Sequence, residues 1–352
     1  MKSITILGAG VMGSAMCMPF SDNEMTVHLV GTHLDADIIE GVRATGVHSK
    51  LNITLPANVK TYRLEELATA VTSETDCILL GVASAGIGWA IEQLSLVVKK
   101  RVPIVMITKG MQSEVDGLTA LPDVVADGLK SRLGFDVPVL AIGGPCIAGE
   151  LAARRPTGTI VVSRDFSLAE SIAATFSCEY YFARPSIDLM GVELCAAFKN
   201  FFAIAVGWAH GRNEVLPETS NRAKNNNAAA VLFDQAVREM LVLTRALGGN
   251  AESVWGMAGV GDLYVTSQAG RNSRLGHALG RGLSYAQAKQ GPLSGETIEG
   301  ADLGIAVAAT IHTMVAKRVI ATADIPLCLA LLATLTTGAD FNPPWDAFHR
   351  GA

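Results

Sequence analysis

Six residues near the start of the chain, Gly8-Ala9-Gly10-Val11-Met12-Gly13, limit the possible folds more than any other stretch. They follow a short β-branched run, Ser3 to Leu7, and precede an apolar stretch, Ser14 to Phe20, that reads as a short helix. A second strand-like run, Thr26 to Val30, comes soon after. Strand, glycine turn, helix and strand together form the dinucleotide-binding unit of a parallel α/β sheet. Gly8 allows the tight turn, Gly10 lets the backbone approach a pyrophosphate, and Gly13 lets the helix pack closely on the strand. Phosphate would rest on the helix N-terminus, where Val11 and Met12 stand.

The residues after the second strand bear on which nicotinamide cofactor such a unit takes. NAD sites place an acidic residue there, on the ribose hydroxyls. Here Gly31-Thr32-His33-Leu34 comes first and Asp35 arrives late. Thr32 and His33 could accept a 2′-phosphate, so the cofactor is read as NAD or NADP. The α/β alternation then continues. Asp76 to Val82 reads as a strand ending at Ala83-Ser84, a cofactor-facing position, and Trp89 to Lys99 as a helix. Val102 to Ile107 is a strand that ends in Thr108-Lys109-Gly110, so Lys109 lies where open sheets bind ligands. Val137 to Ile142 runs into Gly143-Gly144-Pro145-Cys146-Ile147-Ala148-Gly149-Glu150, and Thr159 to Ser163, Leu168 to Phe176 and Tyr180 to Ala183 complete the alternation.

From Ile187 onward β-branched runs give way to helical periodicity. This shift predicts an α/β Rossmann-type N-terminal domain, residues 1–187, and an all-α C-terminal domain, residues 188–352. Of the 352 residues 49% are hydrophobic and 17% charged, ample for two cores. Mean hydropathy is +0.34, yet charges and polar residues break every long apolar run, so no membrane span is expected. A net charge of −5 and the lack of a basic cluster argue against nucleic acid as a partner. Six scattered cysteines without a C-x-x-C pair, and seven histidines without ligand spacing, predict a cytoplasmic protein with no structural metal.

The second half opens on Gly191 to Gly207, apolar nearly all round when wound as a helix, with Lys199 and Asn200 in its middle. The helical neighbours of Lys199 are Cys195, Ala196, Phe202 and Ala203, none of which pairs with an ammonium group. Such a lysine either snorkels to the surface or is a perturbed group suited to proton transfer. Residues 211 to 227 read as a surface loop and Ala228 to Leu247 as a helix stopped by Gly248-Gly249. In Gly259-Val260-Gly261-Asp262, the aspartate is open to reading as a helix N-cap. Arg271-Asn272 ahead of a helix is either a surface pair or a phosphate holder. Glu296 to about Ile320 and Pro326 to Thr337 read as further helices.

Taken in order, GAGVMG at 8–13, TKG at 108–110, GGPCIAGE at 143–150, VELCAAFKN at 192–200, GVGDL at 259–263, GRN at 270–272 and IEG at 298–300 make a specific set. In these motifs the chain resembles soluble NAD(P)-dependent glycerol-3-phosphate dehydrogenase, and looks closest to archaeal-type members. The resemblance implies that Lys199 is the catalytic lysine, that Asp262 stands beside it, and that Lys109 is a second active-site lysine. It implies substrate contacts for Gly144, Asn200, Thr266, Arg271 and Asn272, the last two at the substrate phosphate. Gly8, Gly10, Gly13, Ala148 and Glu299 fall on cofactor-binding positions, and Arg271 is counted with that group too. A homodimer is implied as well. Three departures bear on substrate identity. Asp234-Gln235-Ala236 aligns where many members carry Thr-Arg-Gly, Cys146 stands where serine is frequent, and the loop before Asn227 is longer.

The expected reaction is hydride transfer between NAD(P)H and dihydroxyacetone phosphate or sn-glycerol 3-phosphate. Lys199 would donate a proton to the carbonyl oxygen as charge develops there. Two alternatives stand beside it: the same chemistry on another phosphorylated hydroxyketone or a 2-oxo acid, and a catalytically silent nicotinamide-binding protein.

Overall fold

In a computed structural model, which describes residues 1–115 and 117–348, the chain divides into two compact units. Unit 1 comprises Met1–Lys109 and Ala120–Leu189; unit 2 comprises Gly110–Thr119 and the chain from Met190 onward. The boundary therefore falls after Leu189, slightly later than the composition shift suggests, and the short segment 110–119 groups with unit 2.

The strands are β1 (Ser3–Leu7), β2 (Thr26–Val30), β3 (Val47–His48), β4 (Ile53–Thr54), β5 (Val59–Tyr62), β6 (Cys77–Leu80), β7 (Ile104–Met106), β8 (Met111–Ser113), β9 (Leu118–Ala120), β10 (Val139–Gly143), β11 (Thr157–Val162) and β12 (Tyr181–Ser186). Eight of them form one sheet in the order β12-β11-β10-β7-β6-β1-β2-β5, while β3–β4 and β8–β9 are small separate pairs. At the sheet centre Ile4, Ile6, Leu7, Cys77, Ile78, Leu79, Leu80, Ile104, Val105 and Met106 are all fully buried. Continuous apolar runs of this kind belong to strands covered on both faces. The centre is parallel, with Ile4 level with Val27 on one side and with Cys77 on the other.

The α/β alternation read from the sequence leaves the direction of each strand open, and β11 pairs antiparallel to β10. Between these strands the only helix is α7 (Ala148–Ala152). At ~1.5 Å per residue such a helix spans about 7.5 Å, too short to carry the chain back along a strand. The first helix departs from expectation. It starts at Val11 and is split at Met16 into α1 (Val11–Ala15) and α2 (Cys17–Asp22). Pro19, in the first turn of α2, lacks the N–H that would bond to Ala15 and so cannot continue α1. The other helices of unit 1 are α3 (Ala36–Thr45), α4 (Leu67–Ala70), α5 (Ile87–Val97), α6 (Leu121–Leu133) and α8 (Phe166–Phe176).

Unit 2 is mostly helical: α9 (Leu189–Val215), α10 (Asn226–Ala246), α11 (Ala251–Trp255), α12 (Asp262–Gln268), α13 (Arg271–Gly280), α14 (Tyr285–Gln290), α15 (Glu299–Ala316) and α16 (Pro326–Thr337). Helix α9 runs to Val215, so the expected loop from 211 shortens to the exposed residues 216–224 and their flanks. By length and composition α9 is apolar enough to cross a membrane, despite its charges, but 94% of its most apolar window is buried inside the fold. It is the core helix of the unit. Two neighbours meet it backbone to backbone. A Cβ on Gly207 or Gly211 of α9 would lie 2.3 Å from the Ser273 carbonyl oxygen or 2.0 Å from that of His277, both on α13. Conversely, one on Gly276 or Gly280 of α13 would lie 1.9 Å from the Ile204 oxygen or 2.2 Å from that of Trp208. Gly300 of α15 stands equally close, its Cβ position 2.3 Å from the Asn200 oxygen. Only glycine at these points lets α13 and α15 lie directly on α9.

Candidate functional site

The residues singled out from the sequence fall into two groups, one in each unit. In unit 1 the glycine turn has the geometry its sequence predicts. Gly8 has φ +117°, and a Cβ there would lie 2.5 Å from the Gly81 oxygen. A Cβ on Gly13 would lie 2.2 Å from the Gly8 oxygen, so helix and strand touch through it. On Gly10, which caps α1, a Cβ would meet nothing within 4 Å. The turn is thus closed behind and open in front, and the first N–H groups of α1, from Val11 and Met12, have no intrahelical acceptors. Met12 Sδ lies 3.8 Å from Cys146 Sγ, which brings the glycine turn against the 143–150 segment. In that segment Gly144 has φ +115° and Ala148 is the buried first residue of α7. Lys109 Nζ lies 3.5 Å from the Gly144 carbonyl oxygen. Ser84 is exposed at the start of a short 3₁₀ turn after β6. Beyond β2, Thr32 is half-buried and His33 exposed, with the His33 ring edge-on to Trp89 at 5.3 Å.

In unit 2 the lysine of α9 does not snorkel. Lys199 is 6% exposed and Asp262 2%, and Lys199 Nζ donates to Asp262 Oδ1 at 2.7 Å and to Thr266 Oγ1 at 2.7 Å. Asp262 is not the N-cap of α12 but its first residue, after a π-helical turn (Met257–Gly261), and its carboxylate faces the lysine. Thr266 follows one helical turn later on the same face, as the i, i+4 spacing requires. Beside this pair lies a chain of amide hydrogen bonds. The Gly300 N–H donates to Asn272 Oδ1 at 2.8 Å, Asn272 Nδ2 to Asn200 Oδ1 at 3.0 Å, and Asn200 Nδ2 to Glu299 Oε2 at 3.1 Å. Arg271 reaches the other Glu299 oxygen at 3.4 Å, and both side chains are about half exposed. The fixed amides and the lysine pair are thus buried, while the guanidinium stands at the solvent edge.

Two working residues escape a reading from sequence. Asp35, noted only as a late acid, is buried and accepts bonds from the Ala9 N–H, the Thr32 N–H and the Thr32 hydroxyl. Glu239 of α10 is fully buried. Its carboxylate accepts from Leu327 N at 2.7 Å and Cys328 N at 2.6 Å, at the start of α16, and from Gln235 Nε2 at 2.7 Å. Burial nevertheless pushes its carboxyl up to about 8, against the pull of those three donors. A signal for it exists: Glu239 interrupts the apolar seam Leu232, Ala236, Met240, Leu243. Gln235, one of the departures at 234–236, serves as its partner, and Asp234 pairs with Arg238 at the surface.

Two family models match, the N-terminal region of NAD-dependent glycerol-3-phosphate dehydrogenase over residues 3–169 and its C-terminal region over 188–344. The chain is 33% identical over 289 residues to an NADP(+)-dependent glycerol-3-phosphate dehydrogenase of Archaeoglobus fulgidus, covering 82% of each chain. It is 31% identical over 301 residues to a glycerol-3-phosphate dehydrogenase [NAD(P)+] of Coxiella burnetii, covering 84% of this chain and 83% of that one. A crystal structure of glycerol-3-phosphate dehydrogenase from Coxiella burnetii superposes with a TM-score of 0.78 at 27% identity, covering 99% of this chain and 98% of the other. With the glycine turn, the buried lysine and the amide chain all in place, the chain belongs to the NAD-dependent glycerol-3-phosphate dehydrogenase family.

Proposed function

We infer that this protein transfers hydride between NAD(P)H and dihydroxyacetone phosphate, or in reverse from sn-glycerol 3-phosphate, with Lys199 as the proton donor and acceptor. The observation that carries the reading is the buried Lys199–Asp262 pair with Thr266 as second acceptor. An ammonium held by two short bonds is fixed in position before substrate arrives, so no reorganisation is needed as charge develops. In reduction, Lys199 gives a proton to the carbonyl oxygen of the substrate. Asp262 and Thr266 then retain the neutral amine in place for reprotonation. Lys109 is assigned as the second active-site cation. Its Nζ lies against the Gly144 carbonyl, which supports the pairing of these two positions.

Arg271 and Asn272 are assigned to the substrate phosphate. They open α13, where helix N–H groups, a guanidinium and an amide stand together. Asn200, bonded to Asn272, would keep that amide oriented. Binding energy from the phosphate then fixes the reacting carbon some distance away.

The residues of the glycine turn fit a dinucleotide, because the open space in front of Gly10 is a cradle that any side chain would fill. Bound NAD(P)H supplies the hydride. Gly8, Gly10, Val11, Met12 and Gly13 would hold its pyrophosphate, and Thr32, His33, Ser84, Ala148, Arg271 and Glu299 complete the assigned cofactor contacts. A reducing, cytoplasmic setting is carried forward from the scattered spacing of the six cysteines in the sequence. A homodimer is carried forward from the family resemblance.

Lys199→Ala should abolish ketone-dependent oxidation of reduced nicotinamide, followed by its absorbance, while leaving cofactor affinity within a few-fold of wild type. Turnover retained in that variant would remove Lys199 from the mechanism.

A further inference from the structure

Ala9, between the first two glycines of the turn, is gripped by three side chains from elsewhere. Its N–H donates to Asp35 Oδ2 at 3.1 Å, and its carbonyl oxygen accepts from Ser14 Oγ at 3.2 Å and from His48 Nε2 at 3.0 Å. His48 lies 39 residues further along the chain, in the small β3–β4 pair outside the main sheet, and is fully buried. Its ring is held at both nitrogens. The Leu51 N–H donates to Nδ1 at 3.1 Å, which requires a lone pair there and leaves the ring proton on Nε2, facing Ala9. The hairpin that carries the ring is itself pinned. The Asn52 N–H donates to the His48 carbonyl oxygen at 2.8 Å, the Leu55 N–H to that of Gly46 at 2.9 Å, and Leu51, Ile53 and Leu55 pack on the core of unit 1.

We propose that His48 is a positioning residue for the reaction, acting on the pyrophosphate cradle through a single peptide group; the proposal rests on the cofactor reading above. In a trans peptide the C=O and the following N–H point in opposite directions, and the Ala9–Gly10 peptide is trans. The bond that draws the Ala9 carbonyl inward therefore turns the Gly10 N–H to the opposite, open side of the turn, beside the first N–H groups of α1. A pyrophosphate then meets a donor whose direction is set before it arrives. The Ser14 hydroxyl cannot set that direction alone, because it rotates to suit its acceptor, whereas an imidazole anchored at Nδ1 holds its acceptor in one line. The ring stands behind the turn, fully buried, and offers no atom to the cofactor. NAD and NADP share the pyrophosphate, so the effect is the same for both.

The test compares His48→Ala, His48→Gln and His48→Asn with wild type, reading NADPH and NADH binding from the fluorescence of the reduced nicotinamide and stability from Tm. Glutamine can place an N–H where Nε2 stands, and asparagine an acceptor where Nδ1 stands. His48→Ala should weaken NADPH and NADH by the same factor, about fivefold, with kcat at saturating coenzyme and KM for dihydroxyacetone phosphate within about twofold of wild type. His48→Gln should recover most of that affinity. His48→Asn should recover Tm through the Leu51 bond while leaving affinity at the alanine level. Should the alanine variant fail to fold, the comparison of glutamine with asparagine decides alone. Asparagine restoring affinity as fully as glutamine would reduce His48 to a brace for its own hairpin and overturn the proposal, as would unchanged affinity in a folded His48→Ala. A wild type that binds neither dinucleotide removes the cofactor reading itself, a result distinct from one that binds both and is indifferent to position 48.

Discussion

The contact between α9 and α13 offers a sharp test of how the substrate half is positioned. In Gly276→Ala the new Cβ would sit 1.9 Å from the Ile204 carbonyl oxygen and 2.8 Å from both the Ile204 carbonyl carbon and the Trp208 nitrogen. Ordinary contact begins at 3.4 Å, so the overlap with the oxygen is about 1.5 Å. All three atoms are main chain of a buried helix, so no rotamer change relieves the clash. Helix α13 must therefore move off α9, carrying Arg271 and Asn272 one turn away. The 3.0 Å bond from Asn272 to Asn200 would stretch with it. Overpacking of this kind costs ~1–3 kcal/mol or more. A displacement of about 1 Å at a positioning group costs on the order of 100-fold in rate. We expect kcat/KM for dihydroxyacetone phosphate to fall by roughly that factor and Tm to drop by several degrees, with NADPH affinity falling far less, since of its assigned contacts only Arg271 rides on α13. A Gly276→Ala enzyme that melts normally and retains kcat/KM within about threefold of wild type would refute the backbone-contact argument.

Other outcomes follow from single residues. Gly41, inside α3, has no heavy atom within 4 Å of a Cβ position, so Gly41→Ala should stabilise the protein by about 0.5–1 kcal/mol, seen as a higher urea midpoint. Glu239 has its carboxyl raised by burial from an ordinary 4.5 to about 8, so the folded state favours the neutral acid. Between those values the unfolded chain is ionised while the folded one holds its proton, and unfolding releases it. Stability should therefore be greatest below pH 4.5 as far as this group is concerned, and fall as pH rises to about 8. Glu239→Gln should flatten that portion of the urea-midpoint profile, at a constant cost of about 1–3 kcal/mol for the lost acceptor. Identical pH profiles in the two proteins would contradict this.

What can be read from residues alone, and what cannot, has a physical pattern. The glycine turn is legible because each glycine answers a separate steric demand, and those demands are met at Gly8 and Gly13 by neighbouring main-chain oxygens. Strand positions are legible from apolar runs, but strand direction is not: β11 looks the same in sequence whether it runs parallel or antiparallel to β10. The short strands β3, β4 and β5 and the hairpin β8–β9 escape because two to four residues carry too little periodicity. Lys199 stands out as a charge within an apolar helix, yet its partner lies 63 residues away, and no local pattern distinguishes Asp262 from an ordinary helix cap. Asp35 is visible, but the direction of its carboxylate is not. An acid after β2 points, in sequence, to the ribose, whereas its bonds run inward to Ala9 and Thr32.

Helix α9 has a consequence for how the protein is made. Its 27 residues are covered by helices that leave the ribosome later: α13 meets Gly207 and Gly211, and α15 meets Asn200 and Phe201. About 100 residues separate the end of α9 from the end of α15. At ~5–20 residues per second, the nascent chain carries an uncovered apolar helix of membrane-spanning length for roughly 5–20 s. During that interval Glu193, Lys199 and Asn200 are the polar marks within its apolar stretch, so the residue assigned to proton transfer also interrupts the one segment, among the described residues, with the length and hydropathy of a membrane span.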